Sequence, residues 1–369
     1  MRIAFVSTIL SYPWGGADTL WTKAAEEAAR RGDELLISVS PVVAAHPRIA
    51  ALGAKIVPRL PLAPLANLGE RLTRKLGRLL RRPDPLLAAL RPFHPDLVVF
   101  SLGGTYDLIL HPEWWAWLRA SGARFRIVAN WQKEHPSLDD CDLALTREIF
   151  AAADSVNFVS TRNLIVTRRH LLTALPNARV IHNPLRWQPS DVTPWPESMV
   201  ARLATVSRLD EGKGIHLLLH ALAQAGSDLP AWQLTVFGVG PHESMLRATV
   251  AQLKLDARVT FPGYVKELRA IWAEQQLLCS PAINDGVPMT IPEAMLCERP
   301  VLATCVGGAE DWIRAGETGF LCHAPTVPLL VIALHDAFAA RERWQEMGRA
   351  AAIVVKSHYC PDDYLRVIT

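Results

Sequence analysis

The sequence predicts an α/β chain built as two doubly wound domains. Three observations carry this expectation. The 369 residues exceed what one ordinary core accommodates and suit two. Short β-branched runs alternate with helical patterns along the whole chain, the signature of parallel α/β units. Uncharged runs such as LVVFSL (97–102) read as strands buried on both faces, as parallel strands are.

In the first half, strands are expected at RIAFVST (2–8), ELLISVS (34–40), KIVPRL (55–60), DLVVFSL (96–102), RFRIVAN (124–130), SVNFVS (155–160) and ARVIHN (178–183). The second half repeats the plan at LATVSRL (203–209), QLTVFGV (233–239), RVTFPG (258–263), LLCSPAI (277–283), VLATCV (301–306) and GFLC (319–322). Between them WQPSDVTPWPES (187–198) is proline-rich with no apolar period and reads as a linker. The expected organisation is an N-terminal domain over 1–186, a linker over 187–200, a C-terminal domain over 201–355, and a segment, 356–369, able to cross back to the first domain. Two such domains would leave a cleft lined by strand C-terminal ends and helix N-termini.

Composition narrows the function classes. Half the residues are hydrophobic and a fifth charged, which describes a well-packed globular protein. A net charge of +3 gives no global case for a nucleic-acid partner. The six cysteines, Cys141, Cys279, Cys297, Cys305, Cys322 and Cys360, form no CxxC pair and no zinc spacing with histidine. They read as reduced thiols of a cytoplasmic protein. IAFVSTIL runs straight into SYPWGG, unlike a signal peptide. The most apolar later stretch, VPLLVIALHDAFAA (327–340), is broken by His335 and Asp336. It falls short of the roughly 18 uninterrupted apolar residues of a membrane span.

The segment NDGVPMTIPEAM (284–295) holds two carboxylates, Asp285 and Glu293, across a glycine and two prolines. Asp285 falls on the loop beyond the strand LLCSPAI. Thr290 reads as an N-cap with Pro292 tolerated in the first turn, which puts Glu293 at the third helical position. The amides of Val287, Met289, Thr290 and Ile291 lie between the acids, and such a corner attracts phosphate. The same four residues, Thr290 to Glu293, form a T-x-x-E capping box, so spacing alone leaves capping and ligand binding both open. Asp285 taken alone reads equally as a turn residue. In ATVSRLDEGKGIHLLLHAL (204–222), a strand is followed by Arg208, a loop, and Lys213 at the start of a helix. A cation there opposes the helix dipole, which points to use against a diphosphate shared with Arg208. A solvated surface lysine is the alternative.

SRLDEGKG, FGVG (237–240), VTFPGYV (259–265), DGVPMTIPEAM (285–295), RPVLATCVGGAEDWI (299–313) and GETGF (316–320) occur together in one order and spacing. GGAD (15–18) and VIHNP (180–184) accompany them in the first half. In this ordered set the sequence resembles the retaining GT-B glycosyltransferases of family 4, densely over 203–322 and loosely between 45 and 150. The resemblance implies GT-B architecture, two Rossmann-like domains facing across a cleft, and a donor that is a nucleotide-diphospho-sugar such as a UDP-sugar. It implies that Arg208 and Lys213 contact the diphosphate, Glu293 the ribose hydroxyls and Asp285 the donor sugar. Gly286, Val287, Pro288, Met289 and Thr290 would line phosphate and sugar. Gly263, Tyr264 and Val265 would flank the base, Gly238 would join the donor loop, and Gly15 and Gly16 would let the first loop approach the diphosphate. No metal and no cofactor are implied, and the acceptor hydroxyl enters on the face the phosphate leaves, so no carboxylate nucleophile is required.

Three departures stand out. Aspartate replaces the usual glutamate at 285 and is shorter by one C–C bond, about 1.5 Å. DLVVFSLGG (96–104) lacks the His-x-His the family often carries. In ANWQKEHPS (129–137) the family's histidine falls to His135, with Gln132 and Glu134 as other occupants of its position. Acceptors of carbohydrate, lipid-linked or small-molecule type fit the family. The basic amphipathic pattern NLGERLTRKLGRLLRRP (67–83) suits either peripheral contact with the inner membrane face or an ordinary packed surface helix. Trp14, Trp131 and HPEWWAWL (111–118) offer sugar-stacking surfaces, while helical spacing favours core packing for Trp114 and Trp117. The competing expectations are a non-catalytic nucleotide-sugar-binding or scaffold protein, a phosphorylase or epimerase of the same fold, and a membrane-surface protein acting through 67–83. A phosphorylase needs a pyridoxal-phosphate lysine and a much longer chain.

Overall fold

A computed structural model of the chain describes residues 1–10, 14–59, 84–132, 134–136, 138–185 and 193–369. The expected basic helix 67–83 and the linker residues 187–192 lie outside the described residues.

Two parallel sheets form, and all thirteen expected strands are in them. The first holds β1 (Arg2–Ser7), β2 (Glu34–Val39), β3 (Lys55–Pro58), β4 (Leu97–Leu102), β5 (Arg124–Ala129), β6 (Ser155–Phe158) and β7 (Ala178–Val180), in the order β3-β2-β1-β4-β5-β6-β7. The second holds β8 (Ala201–Val206), β9 (Trp232–Phe237), β10 (Val259–Gly263), β11 (Leu277–Ser280), β12 (Val301–Thr304) and β13 (Gly319–Cys322), in the order β10-β9-β8-β11-β12-β13. Most strands stop one to three residues short of their expected carboxyl ends. β11 ends before Pro281, which has no N–H to give to a ladder.

The chain divides into two compact units. Unit 1 comprises Met1–Val159, Asn163–Pro184 and Asp362–Thr369, and unit 2 comprises Ser160–Arg162 and Leu185–Pro361. The last residues are held within unit 1 by polar contacts. Asp363 accepts the His182 N–H at 3.0 Å, and Arg179 donates to the Arg366 carbonyl at 2.5 Å. Burial alone would raise the Asp363 carboxyl, but the His182 hydrogen bonds and the Arg366 charge hold it below its ordinary value.

Unit 2 packs apolar side chains on both faces of its sheet. Leu203, Leu218, Leu222, Leu234 and Trp232 build one layer, and Ala204, Leu278, Ile291, Met295 and Trp272 the other. The described part of the expected linker is tied to this unit. Arg299, fully buried, donates to the carbonyls of Trp272, Gln275, Cys297 and Pro194, and its guanidinium lies over Trp195 at 5.1 Å. A buried guanidinium is tolerable because carbonyl oxygens replace its water; burial lowers its pKa to about 10.

Candidate active site

The order of the second sheet reverses between β8 and β11, which pair as Leu277↔Leu203 and Leu278↔Ala204. In open α/β sheets ligands bind outside the carboxyl ends of the strands at such a switch point. Here those ends carry the two loops singled out above, 207–214 and 281–289.

Backbone contacts hold these loops to each other and to the neighbouring turns. The N–H groups of Ile283 and Asn284 both donate to the Gly212 carbonyl, at 2.8 and 3.1 Å. Gly214, with φ +65°, presses against Pro281 so closely that a Cβ would lie 1.9 Å from its carbonyl oxygen. Gly238, with φ +129°, meets Ser207 in the same way, again at 1.9 Å. Gly307 backs onto the carbonyls of Asp285 and Gly286, at 2.6 and 2.4 Å for a notional Cβ. Glycine is required wherever the backbone is both left-handed and in contact.

On this platform both expected diphosphate cations meet carboxylates. Arg208 donates from Nε to Asp210 Oδ2 at 2.8 Å, with Nη2 at 2.7 Å from the same oxygen. Lys213 Nζ donates to Asp285 Oδ2 at 2.6 Å, 72 positions away in sequence, with the side chains 26% and 14% exposed. Arg208 and Lys213 thus stand on one loop, and Lys213 reaches the Asp285 carboxylate of the other. Glu293, on the helix Thr290–Leu296, is 2% exposed, a burial that ionisable side chains accept only with compensating partners. Among the described residues no acceptor meets the N–H groups of Gly286, Val287, Met289 or Thr290. Pro288 is buried, and Tyr264 is two-thirds exposed beside the half-buried Val265.

Two local expectations are corrected. Thr290 is not the N-cap. Met289 takes that position with helical φ and ψ, no side chain caps it, and the capping box does not form. Ile291 N–H already donates to the Pro288 carbonyl at 2.9 Å, so turning begins at a proline whose φ is preset. Thr290 is left as the first helical residue and Glu293 as the fourth. Lys213 does not start the long helix either. It ends a 3₁₀ turn, Glu211–Lys213, and the helix Ile215–Ala225 begins beyond the left-handed Gly214. Lys213 therefore stands just before the N-cap of that helix rather than in its first turn.

In unit 1, Gly15 precedes the helix Gly16–Arg30, and its N–H donates to the Asp18 carboxylate at 3.0 Å. Its φ is −142°, which any residue adopts. His135 is exposed, while Glu134 pairs with Arg169 at 3.0 Å. Gln132 is the best-anchored of the three, bonded to Tyr106 Oη at 2.7 Å and Thr167 Oγ1 at 3.0 Å, with His170 Nδ1 3.3 Å away. Tyr106 and His170 gave no signal in sequence, because they lie 26 and 38 residues from Gln132 and meet it only through the fold. Trp114 is buried, with His111 stacked on it at 3.7 Å and Arg59 over its ring at 4.5 Å, so its faces are taken. Trp117 packs on the unit 1 core.

Among the described residues one group has metal-ligating atoms within 4.8 Å of one another: Asp84, His111 and Glu113. Asp84 already accepts from Leu86 N–H and Trp114 Nε1, at 2.7 and 2.8 Å. The Arg59 guanidinium stands 3.5 Å from His111 Nε2. Burial, followed by the Arg59 charge, lowers the His111 pKa. An arginine thus supplies the positive charge in this cluster. All six cysteines are free, and burial pushes the Cys279 thiol up to about 12.

Residues 197–353, the segment holding both loops, match the family model for glycosyl transferases group 1. The crystal structure of Anabaena HepE in complex with UDP superposes with a TM-score of 0.76 at 18% identity, covering 100% of this chain and 98% of that one. The lipopolysaccharide outer core galactosyltransferase WaaB gives 0.71 at 18%, covering 100% and 98%. The fold is that of GT-B glycosyltransferases. In sequence, the colanic acid biosynthesis glycosyltransferase candidate WcaL of Salmonella typhimurium is 29% identical over 131 residues, 33% of this chain and 32% of that one. The GDP-mannose-dependent alpha-(1-6)-phosphatidylinositol monomannoside mannosyltransferase of Mycolicibacterium smegmatis is 28% identical over 255 residues, 63% and 65% of the two chains. The match spans about a third of the length of the first of these relatives and just under two thirds of the second. No described helix is long and apolar enough to cross a membrane.

Proposed function

We propose that the chain is a retaining glycosyltransferase that moves a sugar from a nucleotide-diphospho-sugar to an acceptor hydroxyl without a metal ion. The observation that carries this reading is the Lys213–Asp285 pair, which joins the two loops at the switch point of the second sheet, with Arg208 on the same loop as Lys213, inside the segment that matches glycosyl transferases group 1. Two cations on one loop suit a diphosphate whose charge grows as the sugar leaves, and charge developing in a transition state is where fixed groups contribute most. Glu293 holds the ribose and Asp285 a sugar hydroxyl. The acceptor enters on the face the phosphate leaves, and the departing phosphate oxygen takes its proton. A UDP-sugar is the first donor to try, since HepE is solved with UDP; a GDP-sugar is the second, given the mannosyltransferase relative. The acceptor is a glycan, a lipid-linked sugar or a small-molecule hydroxyl.

The experiment is turnover of UDP-, GDP- and ADP-sugars by the purified protein, with the anomeric configuration of the product read by NMR. Release of nucleoside diphosphate with a product of donor configuration is the expected result, unchanged by a chelator. Tight donor binding with no release or transfer in any mixture would instead mark a non-catalytic nucleotide-sugar-binding protein. An inverted product would overturn the same-face mechanism.

A further inference from the structure

Lys213 gives a hydrogen bond to Asp285 at 2.6 Å, yet the donor reading sends these two side chains to different parts of the ligand. We infer that Asp285 discriminates the intact sugar donor from the spent nucleoside diphosphate, by exchanging Lys213 for a sugar hydroxyl when the donor binds; this rests on the donor-site reading above.

Lys213 is a compact point charge with three donors, and Asp285 is the one carboxylate paired with it among the described residues. A diphosphate that engages Lys213 must share it with, or take it from, Asp285. The backbone that carries this carboxylate is held in place, because Gly307 crowds the Asp285 and Gly286 carbonyls and the Gly212 carbonyl holds the amides of Ile283 and Asn284, so the short aspartate side chain has little reach to move away. It therefore stays close to any phosphate at Lys213 and repels it, in surroundings where charges are only partly screened. A sugar ester offsets this repulsion, because its hydroxyls donate hydrogen bonds to the carboxylate that Lys213 has left. The free nucleoside diphosphate has no such hydroxyls. It also bears a terminal phosphate whose second ionisation, near pH ~6, adds negative charge at neutral pH. Asp285 thus penalises the product more than the substrate, and the pair favours release after transfer.

The test is calorimetric binding of UDP and UDP-glucose, and in parallel of GDP and GDP-mannose, to the wild-type chain, Asp285→Asn, Lys213→Met and the double variant. Asp285→Asn is expected to bind the nucleoside diphosphate about tenfold more tightly, equivalent to about 1.4 kcal/mol. The sugar nucleotide should gain less or weaken, so the preference for the intact donor shrinks. In the Lys213→Met background the asparagine should have a much smaller effect, because the contested cation is gone. Wild-type binding with no tightening of the diphosphate in Asp285→Asn overturns the exchange while leaving the donor site standing. Equal tightening of diphosphate and sugar nucleotide also overturns it. If no nucleoside diphosphate or sugar nucleotide binds the wild-type chain, the donor-site reading falls and this one with it. Asp285→Ser, judged against the same expectations, replaces the asparagine variant should that one fail to fold.

Discussion

Gly214→Ala isolates the backbone lock beneath the candidate site. Gly214 has φ +65°, and a Cβ built on it would lie 1.9 Å from the Pro281 carbonyl oxygen. A left-handed backbone costs a residue with a Cβ roughly 1–2 kcal/mol. Relieving the overlap to an ordinary contact near 3.4 Å requires the two loops to part by about 1.5 Å. That motion lengthens the bonds from Ile283 and Asn284 N–H to the Gly212 carbonyl, now 2.8 and 3.1 Å, beyond useful hydrogen-bond range. Each of the two bonds contributes about 1 kcal/mol net, so the total loss is about 3–4 kcal/mol. Hydrogen exchange should show it as lost protection in peptides covering 207–214 and 281–289, with a lower urea midpoint for unit 2. Gly212→Ala is the control. Its φ is not left-handed and its nearest contact is a side-chain oxygen at 3.3 Å, so it should cost under ~1 kcal/mol. Wild-type protection and midpoint in Gly214→Ala would refute the claim that this contact sets the loop spacing.

Thr290→Val should shift stability by less than ~0.5 kcal/mol, because Thr290 caps nothing; a loss of about 1 kcal/mol, typical of a removed N-cap, in thermal unfolding would restore the capping-box view. Arg299→Ala should cost at least ~3 kcal/mol in urea unfolding, since it leaves the buried carbonyls of Trp272, Gln275 and Cys297 without their donor. A neutral result would mean that water replaces the guanidinium. Asp363 has a carboxyl held below its ordinary 3.8 in the folded chain. Its contribution is therefore fully present above that value and is lost as pH falls through the folded pKa. Asp363→Asn should be about 1 kcal/mol less stable than wild type at pH 7, with the difference closing in acid below pH 3.8; a gap independent of pH would show that packing, not charge, is at stake.

The central strands were legible because parallel strands between two helix layers are apolar on both faces, as LVVFSL and VLAT are. Their ends were less so, since a loop begins where backbone pairing stops and sequence pattern records side chains. The helix starts at 213 and 290 failed for one kind of reason. In each case a residue with restricted or unusual φ, Gly214 or Pro288, moved the beginning of the helix away from the residue whose chemistry suggested it. Arg208, Lys213, Asp285 and Glu293 each stood out in the sequence by residue type and position. That Lys213 faces Asp285, and Arg208 faces Asp210, was not legible there.

The Lys213–Asp285 pair nonetheless follows from the fold by a short route. Right-handed crossovers and a reversing strand order place the first and fourth strands of a doubly wound sheet side by side, here β8 and β11. Loops leaving adjacent strand ends must either splay or touch. These touch, and the evidence for contact was in the sequence as glycine: Gly214 against Pro281, Gly238 against Ser207, Gly307 against Asp285 and Gly286. A glycine that merely turned the chain would find open space around its missing Cβ, as Gly32 and Gly122 do. Gly214 of GKG, Gly238 and Gly240 of FGVG and Gly307 of VGG instead find another backbone. These four glycines therefore report where loops approach closely, here closely enough to bring charges 72 residues apart into a hydrogen bond.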